Sequence, residues 1–308
     1  MLSWNGTTQE TKTVTDRTTL IFGAGFSGRA YARRLAAAGQ TVFGTTRDPA
    51  KAGELRRAGI TPVIFNGSAA HDELFEAVVR ATDIVISIAP NAHGDPVLNA
   101  IGEALASAPQ LQWIAYLSTV GVYGNHDGDW VDETAEPSPV SARSIQRLAA
   151  EREWQAFAAQ RSVPLSILRL SGIYGPGRNA FVNLEAGRAR RLVKPGQVFN
   201  RIHVDDIAGA LAFLADHRHD GVLNVTDDLP APPQDVVAYA ASVMKVDPPP
   251  EIDFETATLS PMARSFYGEN KRVSNAAIKA LGFVFTHPDY RTAFDWMWAE
   301  DSWRRPPV

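Results

Sequence analysis

Cysteine is absent from this chain of 308 residues. That excludes disulfides, thiolate metal sites and a cysteine nucleophile. Charge of one sign is not in excess, because 30 Lys and Arg against 34 Asp and Glu leave a net charge of −4. The two signs are dispersed, so neither nucleic acid nor an anionic membrane is indicated as a partner. No apolar run approaches the ~18 residues of a membrane span, and no His/Asp spacing marks a metal site. Residues 1–17 are polar and Thr-rich and lack an apolar segment. They are read as a disordered leader and not as a signal peptide, which leaves the cytoplasm as the default location. No internal repeat or low-complexity tract is present. A chain of this length can bury about three-quarters of its extended surface in one or two domains.

What is there begins with Leu20-Ile21-Phe22-Gly23-Ala24-Gly25-Phe26-Ser27-Gly28, a short apolar strand running into G-x-G-x-x-G. A helix over Arg29 to Ala38 follows, stopped by Gly39. In a dinucleotide site each glycine has a physical task. Gly23 allows the tight turn, Gly25 lets the backbone approach a pyrophosphate, and Gly28 lets helix and strand pack closely. The helix N-terminus then offers free N–H groups and a positive dipole end to phosphate. The alternative is a flexible turn with no ligand.

The second strand, Gln40 to Arg47, ends about 20 residues after the glycines, where an NAD site carries an acidic residue for the ribose 2′-hydroxyl. Here Thr46 and Arg47 stand there, with Lys51 one turn on. A guanidinium can hold a 2′-phosphate bidentately, so NADP is expected ahead of NAD. The alternative is a solvated Arg47 paired with Asp48.

Strand and helix signals then alternate. Thr61 to Asn66 is a strand, and His71 to Ala81 a helix with Leu74, Phe75, Val78 and Val79 on one face. Asp83 to Ala89 is a continuous apolar run, as expected of a parallel strand buried on both sides. Asp95 is the N-cap and Pro96 the first residue of a helix to Ala108. Leu111 to Ser118, Ser141 to Gln160 and Pro164 to Leu170 continue the series. The alternation implies an α/β fold, a Rossmann-type doubly wound parallel sheet with a smaller C-terminal substrate lobe. The nucleotide-binding domain is expected over 18–174 plus 200–226, and the lobe over 175–199 plus 227–308. Trp296, Trp298 and Trp303 are expected to be packing anchors of a C-terminal helix.

Four further segments carry a resemblance: Leu117 to Gly124 (LSTVGVYG), Asp132-Glu133-Thr134, Arg169 to Gly177 (RLSGIYGPG) and Ile202 to Asp206 (IHVDD). Their order and spacing are similar to those of the extended short-chain dehydrogenases/reductases, the NAD(P)-dependent epimerase/dehydratase superfamily that acts on sugar nucleotides. Asn270 to Asn275 with Leu281-Gly282-Phe283 resembles that superfamily's C-terminal region, so the match covers 18 to about 295. The glycine loop departs from the usual G-x-x-G-x-x-G, which places the chain among atypical members.

The resemblance implies a Ser or Thr whose hydroxyl meets the reacting oxygen, and Thr119 matches, with Ser118 beside it. It also implies a Tyr acid/base four residues before a Lys that holds the nicotinamide ribose. Those two positions carry Arg143 and Arg147. Arginine does not release its proton in the working range, so Arg143 cannot be a general base. Arg147 could still anchor the ribose as a fixed cation, and Arg143 could bind an anionic group or polarise a carbonyl. Tyr123 and Tyr174 are candidate substitute donors, against a packing role for both. His203 is expected at a strand end ahead of Asp205 and Asp206, which would cap the next helix. His93 lies in the loop after the fourth strand. Implied cofactor contacts are Gly23, Gly25, Phe26, Ser27, Gly28, Thr46, Arg47, Asn66, Ala89, Pro90, Arg147 and Gly172.

An NADP-dependent oxidoreductase or epimerase/dehydratase acting on a small molecule such as a sugar nucleotide follows, with an NADP(H)-binding redox sensor as the rival. By analogy, helices 95–108 and 141–160 would pair across a two-fold axis in a homodimer. From Thr46 and Arg47, NADPH should bind more tightly than NADH, and Arg47→Ala should abolish most of that preference. Titration calorimetry checks this, and equal affinities of the unaltered chain for both would refute it.

Overall fold

The computed structural model describes residues 17–68, 71–260 and 264–305. In chain order it forms β1 (Thr18–Phe22), α1 (Phe26–Ala37), β2 (Thr41–Thr46), α2 (Ala52–Arg57), β3 (Thr61–Ile64), α3 (Asp72–Arg80), β4 (Asp83–Ile86), α4 (Pro96–Ala106) and β5 (Trp113–Thr119). Then come β6 (Trp130–Val131), α5 (Ala142–Arg161), β7 (Leu165–Leu170), β8 (Gly172–Tyr174), α6 (Ala180–Glu185), β9 (Arg191–Val193), β10 (Arg201–His203) and α7 (Val204–Asp216). The chain closes with β11 (Gly221–Val225), α8 (Pro233–Met244), β12 (Glu251–Asp253), β13 (Arg272–Val273), α9 (Ala276–Ala280) and α10 (Tyr290–Ala299).

Seven strands pair in the order β3-β2-β1-β4-β5-β7-β11, all parallel. The strand order reverses between β1 and β4, and this switch point opens a crevice at the strands' carboxyl ends. Helices cover both faces. One core joins Ile21, Tyr31 and Val85 to Leu211 and Leu214 of α7. The other joins Phe22, Ile84 and Tyr116 to Leu74, Val97 and Trp154. Every residue of β4 is buried, but the strand stops at Ile86, short of the expected Ala89, which is exposed. Its first residue, Asp83, is held inside by Arg17 at 3.0 Å and by Arg218. Arg17 is therefore an ordered, paired residue and not part of a leader; residues 1–16 lie outside the described residues.

Local signals hold where they are chemical. Asp95 caps α4 by accepting from the N–H groups of Val97 and Leu98, with Pro96 as the first helical residue. Ser141 caps α5 through the Ser144 N–H. The face of α3 is a correction. Leu74, Ala77 and Val78 are buried, while Phe75 and Val79 are 40 % and 53 % exposed. A helix turns about 100° per residue, so the 75/79 row lies a quarter-turn or more away from the 74/78 row.

The C-terminal region is less regular than its expected outline. A lobe core forms around Phe181, Tyr290, Phe294, Met297 and Trp303. Trp303 is buried, and Trp298 stacks on it with ring centroids 5.8 Å apart. Trp296 and Trp298 remain more than a third exposed, so only Trp303 is a full anchor. Ile278, Phe283 and Phe285 leave the lobe and pack in the α1/α7 core of the sheet domain. β13 pairs with β6 beside them. The segment between α8 and α10 thus packs back against the sheet.

At the junction of α7 and the segment before α10, His203 and His287 pack with ring centroids 4.1 Å apart. Burial lowers the His203 pKa to about 3, with the neighbouring His287 adding to the effect, and burial lowers His287 to about 4. The unfolded chain takes up these protons near pH 6.5 and the folded one refuses them. Their contribution is therefore complete above about pH 6.5 and is lost as pH falls towards 4. Asp206, raised to about 6 by burial, offsets part of this below about pH 6. His287→Phe should show a smaller loss of stability between pH 7 and 5 than the unaltered chain, read from urea midpoints. Parallel pH curves for the two would contradict the assignment.

Candidate functional site

The glycine loop lies at the carboxyl edge of β1, and neighbouring strands set its shape. Gly23 sits at φ +90°, where a side chain is strained; a Cβ there would also meet Ile88 at 3.1 Å. Its N–H donates to Thr45 Oγ1 at 2.8 Å, and the Ala24 N–H donates to the Thr45 carbonyl at 2.9 Å. A Cβ on Gly28 would lie 2.6 Å from the Gly23 carbonyl oxygen, so helix and strand touch there as expected. Gly25 differs, because a Cβ there would meet nothing nearer than 3.9 Å. The space beside it is open. The helix behind, α1, starts without a side-chain cap and without an acidic residue in its first turn. Unsatisfied N–H groups, a positive dipole end and empty space for a backbone approach fit a dinucleotide pyrophosphate.

At the end of β2, Thr46 exchanges hydrogen bonds with the Asp48 backbone, at 3.2 Å and 3.3 Å. The Asp48 carboxylate accepts from the Ala50 N–H and caps a short 3₁₀ turn. It forms no ion pair with Arg47, which is exposed. Lys51 is exposed on the same turn. Asn66, after β3, folds an Asx turn by accepting from Ser68. Ala89 is exposed and Pro90 half-buried after β4. Gly172 donates its N–H to the Asn200 carbonyl at 3.0 Å.

The two arginines behave differently. Arg147 reaches the carboxyl edge of the sheet, where it donates to the Leu117 carbonyl at 2.9 Å, the Tyr116 hydroxyl at 3.2 Å and the Ile88 carbonyl at 3.4 Å. Its guanidinium also lies 5.5 Å from the Tyr116 ring centre. It is a fixed cation between β5 and the loop after β4. Arg143, one turn earlier, is exposed. Thr119 ends β5, half-buried, and its Oγ1 accepts from the Gly121 N–H at 3.1 Å. Its hydroxyl proton stays available for donation.

The remaining candidates are built into a buried polar network. Ser118 donates to Glu151, and Glu151 receives Arg169 through both oxygens, at 2.8 Å and 3.3 Å. Burial opposes the Arg169 charge, and Glu151 more than offsets it, leaving the pKa raised. The Tyr123 hydroxyl donates to Asn224 Oδ1 at 2.8 Å, and Arg169 lies 4.9 Å from the Tyr123 ring centre. Tyr123 is fully buried, and burial raises its pKa. Tyr174 is 7 % exposed, packed edge-on to His203 and Phe294; burial raises its pKa well above the usual phenol. Both tyrosines occupy packing positions. Glu151 and Arg169 were not singled out from sequence; the signal was Glu151 falling one turn after Arg147 on one face of α5.

The capping expected of Asp205 and Asp206 is a further correction. His203 caps α7, its Nδ1 accepting from the Asp205 N–H at 3.3 Å. The Asp206 carboxylate instead ties down the Thr286 and His287 N–H groups, at 2.6 Å and 3.0 Å. A ligand atom from each of His203, Asp205 and His287 lies within 4.8 Å of the others. This cluster was not legible from spacing, since 203 and 287 are distant in the chain. Arg33 and Arg34 act on Asp205, and the positive end of α7 adds to a field that disfavours a cation. His93 is exposed on its loop.

The fold and the glycine cradle define a dinucleotide-binding α/β protein. The profile of the NAD dependent epimerase/dehydratase family matches residues 19–226, and the chain belongs to that family. It is 29 % identical over 285 residues to Protein YeeZ of Escherichia coli (strain K12), covering 87 % of this chain and 96 % of that protein. A functionally unknown conserved protein from Silicibacter pomeroyi DSS is similar in structure, with TM-score 0.84 and 45 % identity over 92 % of this chain and 99 % of that one. Human epimerase family protein SDR39U1, solved with NADPH, shares the fold at TM-score 0.69 and 18 % identity, over 92 % and 99 % of the two chains. Among the described residues no helix is long and apolar enough to cross a membrane.

The loop geometry separates two glycine substitutions. Gly25→Val should leave the melting temperature of the free protein near that of the unaltered chain and remove the thermal shift with NADPH. Gly28→Val should lower the melting temperature itself, because its side chain meets the Gly23 carbonyl. A Gly25→Val protein that still shifted with NADPH would place the cofactor elsewhere.

Proposed function

We propose that this protein is an NADP(H)-dependent oxidoreductase or epimerase/dehydratase of the short-chain dehydrogenase/reductase type. Its substrate is a sugar nucleotide or a similar polar carbonyl or alcohol. The observation that carries the reading is Arg147 fixed on the Leu117 carbonyl, two residues before Thr119, and on the carbonyl of Ile88, the residue that packs against Gly23 of the glycine loop. Gly23, Gly25, Phe26, Ser27 and Gly28 would hold the pyrophosphate. Thr46 and Arg47 would hold the adenosine 2′-phosphate, and Arg147 the nicotinamide ribose. Asn66, Ala89, Pro90 and Gly172 would line the remainder. When bound, a nicotinamide supplies a hydride donor or acceptor. Thr119 donates its hydroxyl proton in a hydrogen bond to the reacting oxygen while its own oxygen stays anchored by Gly121. Arg143 stabilises negative charge on the substrate and moves no proton.

The second reading, a non-catalytic NADP(H) sensor, is favoured by one observation. Arg143 stands where the family has its acid/base tyrosine, and both Tyr123 and Tyr174 are committed to packing. The two readings part at Thr119. For an enzyme, Thr119→Val should lower kcat/KM by about 10²-fold, the scale of losing one transition-state donor. For a sensor it should leave cofactor affinity nearly unchanged. A screen of sugar nucleotides and simple carbonyls, read by NADPH consumption with both proteins, decides. Equal turnover by both would put the active site elsewhere, and tight NADPH binding without turnover by either would favour the sensor.

A further inference from the structure

Beyond the glycine loop, the geometry points to a second element of the cofactor site. We infer that Arg178 is a phosphate clasp that closes over the dinucleotide pyrophosphate from the lobe side, opposite the α1 N-terminus. The inference rests on the reading that the glycine loop holds a dinucleotide.

Arg178 ends the turn that follows Tyr174. The turn is closed by two backbone hydrogen bonds, Gly175 N–H to the Arg178 carbonyl at 3.0 Å and Arg178 N–H to the Gly175 carbonyl at 2.9 Å. It is locked from behind by Asn179, whose side-chain amide donates to the carbonyls of Gly175 and Trp303 at 2.9 Å and 2.7 Å. The Gly177 N–H reaches the same Trp303 carbonyl at 2.7 Å. Asn179 and Trp303 are both buried, so the turn is a rigid mount. It is pressed against Phe26, the first residue of α1; a Cβ on Gly175 would lie 3.5 Å from the tip of that ring. The Arg178 guanidinium sits over the Phe26 ring, 5.8 Å from its centre.

Stacking on an aromatic ring holds a guanidinium in place while leaving its N–H edge free for an anion. Arg178 is exposed and no carboxylate pairs with it among the described residues, whereas Arg29, on the same helix as Phe26, is paired with Glu54 at 3.2 Å. The uncapped start of α1, without an acidic residue in its first turn, and Arg178 thus place two positive elements around Phe26. A pyrophosphate satisfies both, because it carries a charge on each phosphate and enough oxygens for the loop N–H groups and a guanidinium together. Since Trp303 fixes the turn, cofactor binding would also tie the lobe to the nucleotide domain.

The test is calorimetric titration of the full chain, of Arg178→Gln and of Arg178→Lys, with NADP⁺, NAD⁺ and adenosine 2′-phosphate. Arg178→Gln should weaken NADP⁺ and NAD⁺ by the same factor, about tenfold to a hundredfold, the scale of a charge-assisted hydrogen bond. Arg178→Lys should recover part of this. Adenosine 2′-phosphate has no pyrophosphate, and its affinity should not change in Arg178→Gln, while Arg47→Ala weakens it. Unchanged dinucleotide affinity in an Arg178→Gln protein that melts like the unaltered chain would overturn the clasp. So would an equal loss for adenosine 2′-phosphate. An unaltered chain that bound neither dinucleotide would remove the underlying reading and the clasp with it.

Discussion

A charge inside a protein must be paired, and the bidentate contact of Glu151 with Arg169 is one place where this chain meets that demand. Glu151 belongs to α5 and Arg169 to β7, and Ser118 at the end of β5 joins the same carboxylate. Leaving either charge alone would cost several kcal/mol, about 3–5 for a broken buried pair. The pair therefore fixes how far α5 slides along the sheet and how it rotates. One turn before Glu151, that rotation directs Arg147 onto the Leu117 carbonyl, and one turn earlier again it carries Arg143. The position of both arginines relative to Thr119 depends on a buried ion pair between α5 and β7.

A second constraint acts at the other side of the crevice. The contact of Gly28 with the Gly23 carbonyl leaves α1 no freedom to move away from β1. Its N-terminus is then held at the sheet's carboxyl edge, where the strand order reverses. In the proposed site a helix end, the fixed cation of Arg147 and the hydroxyl of Thr119 would come from three separate elements. The tyrosines that the family would lead one to examine are held by other contacts. Tyr123 is held by Asn224 and Arg169, and Tyr174 by the aromatic contacts of the lobe.

How much was legible in the sequence follows the range of the interactions concerned. The Asp95-Pro96 cap, the buried first half of the apolar run and the turn and close packing at Gly23 and Gly28 are set by residues within a few positions of each other, and they are found as expected. Phe75 and Val79 were placed on the buried face of α3 because they are apolar, but the sheet meets the row of Leu74 and Val78. Asp205 and Asp206 have the composition of a helix start, yet His203 takes the cap and Asp206 serves a loop 80 residues later. Arg17 looked like the end of a polar leader because its partners, Asp83 and Asp216, are remote in sequence.

By itself the sequence determined the parallel α/β architecture and the glycine loop. These are properties of residue type, period and short spacing. The tertiary structure alone decided which arginine is fixed and which is exposed, and which tyrosines are buried. It also decided that Phe283 and Phe285 return to the sheet domain and that Arg178 meets Phe26. Each of these joins residues far apart in the chain. Packing and charge pairing across such distances leave no local pattern, because the partner exists only once the sheet has formed.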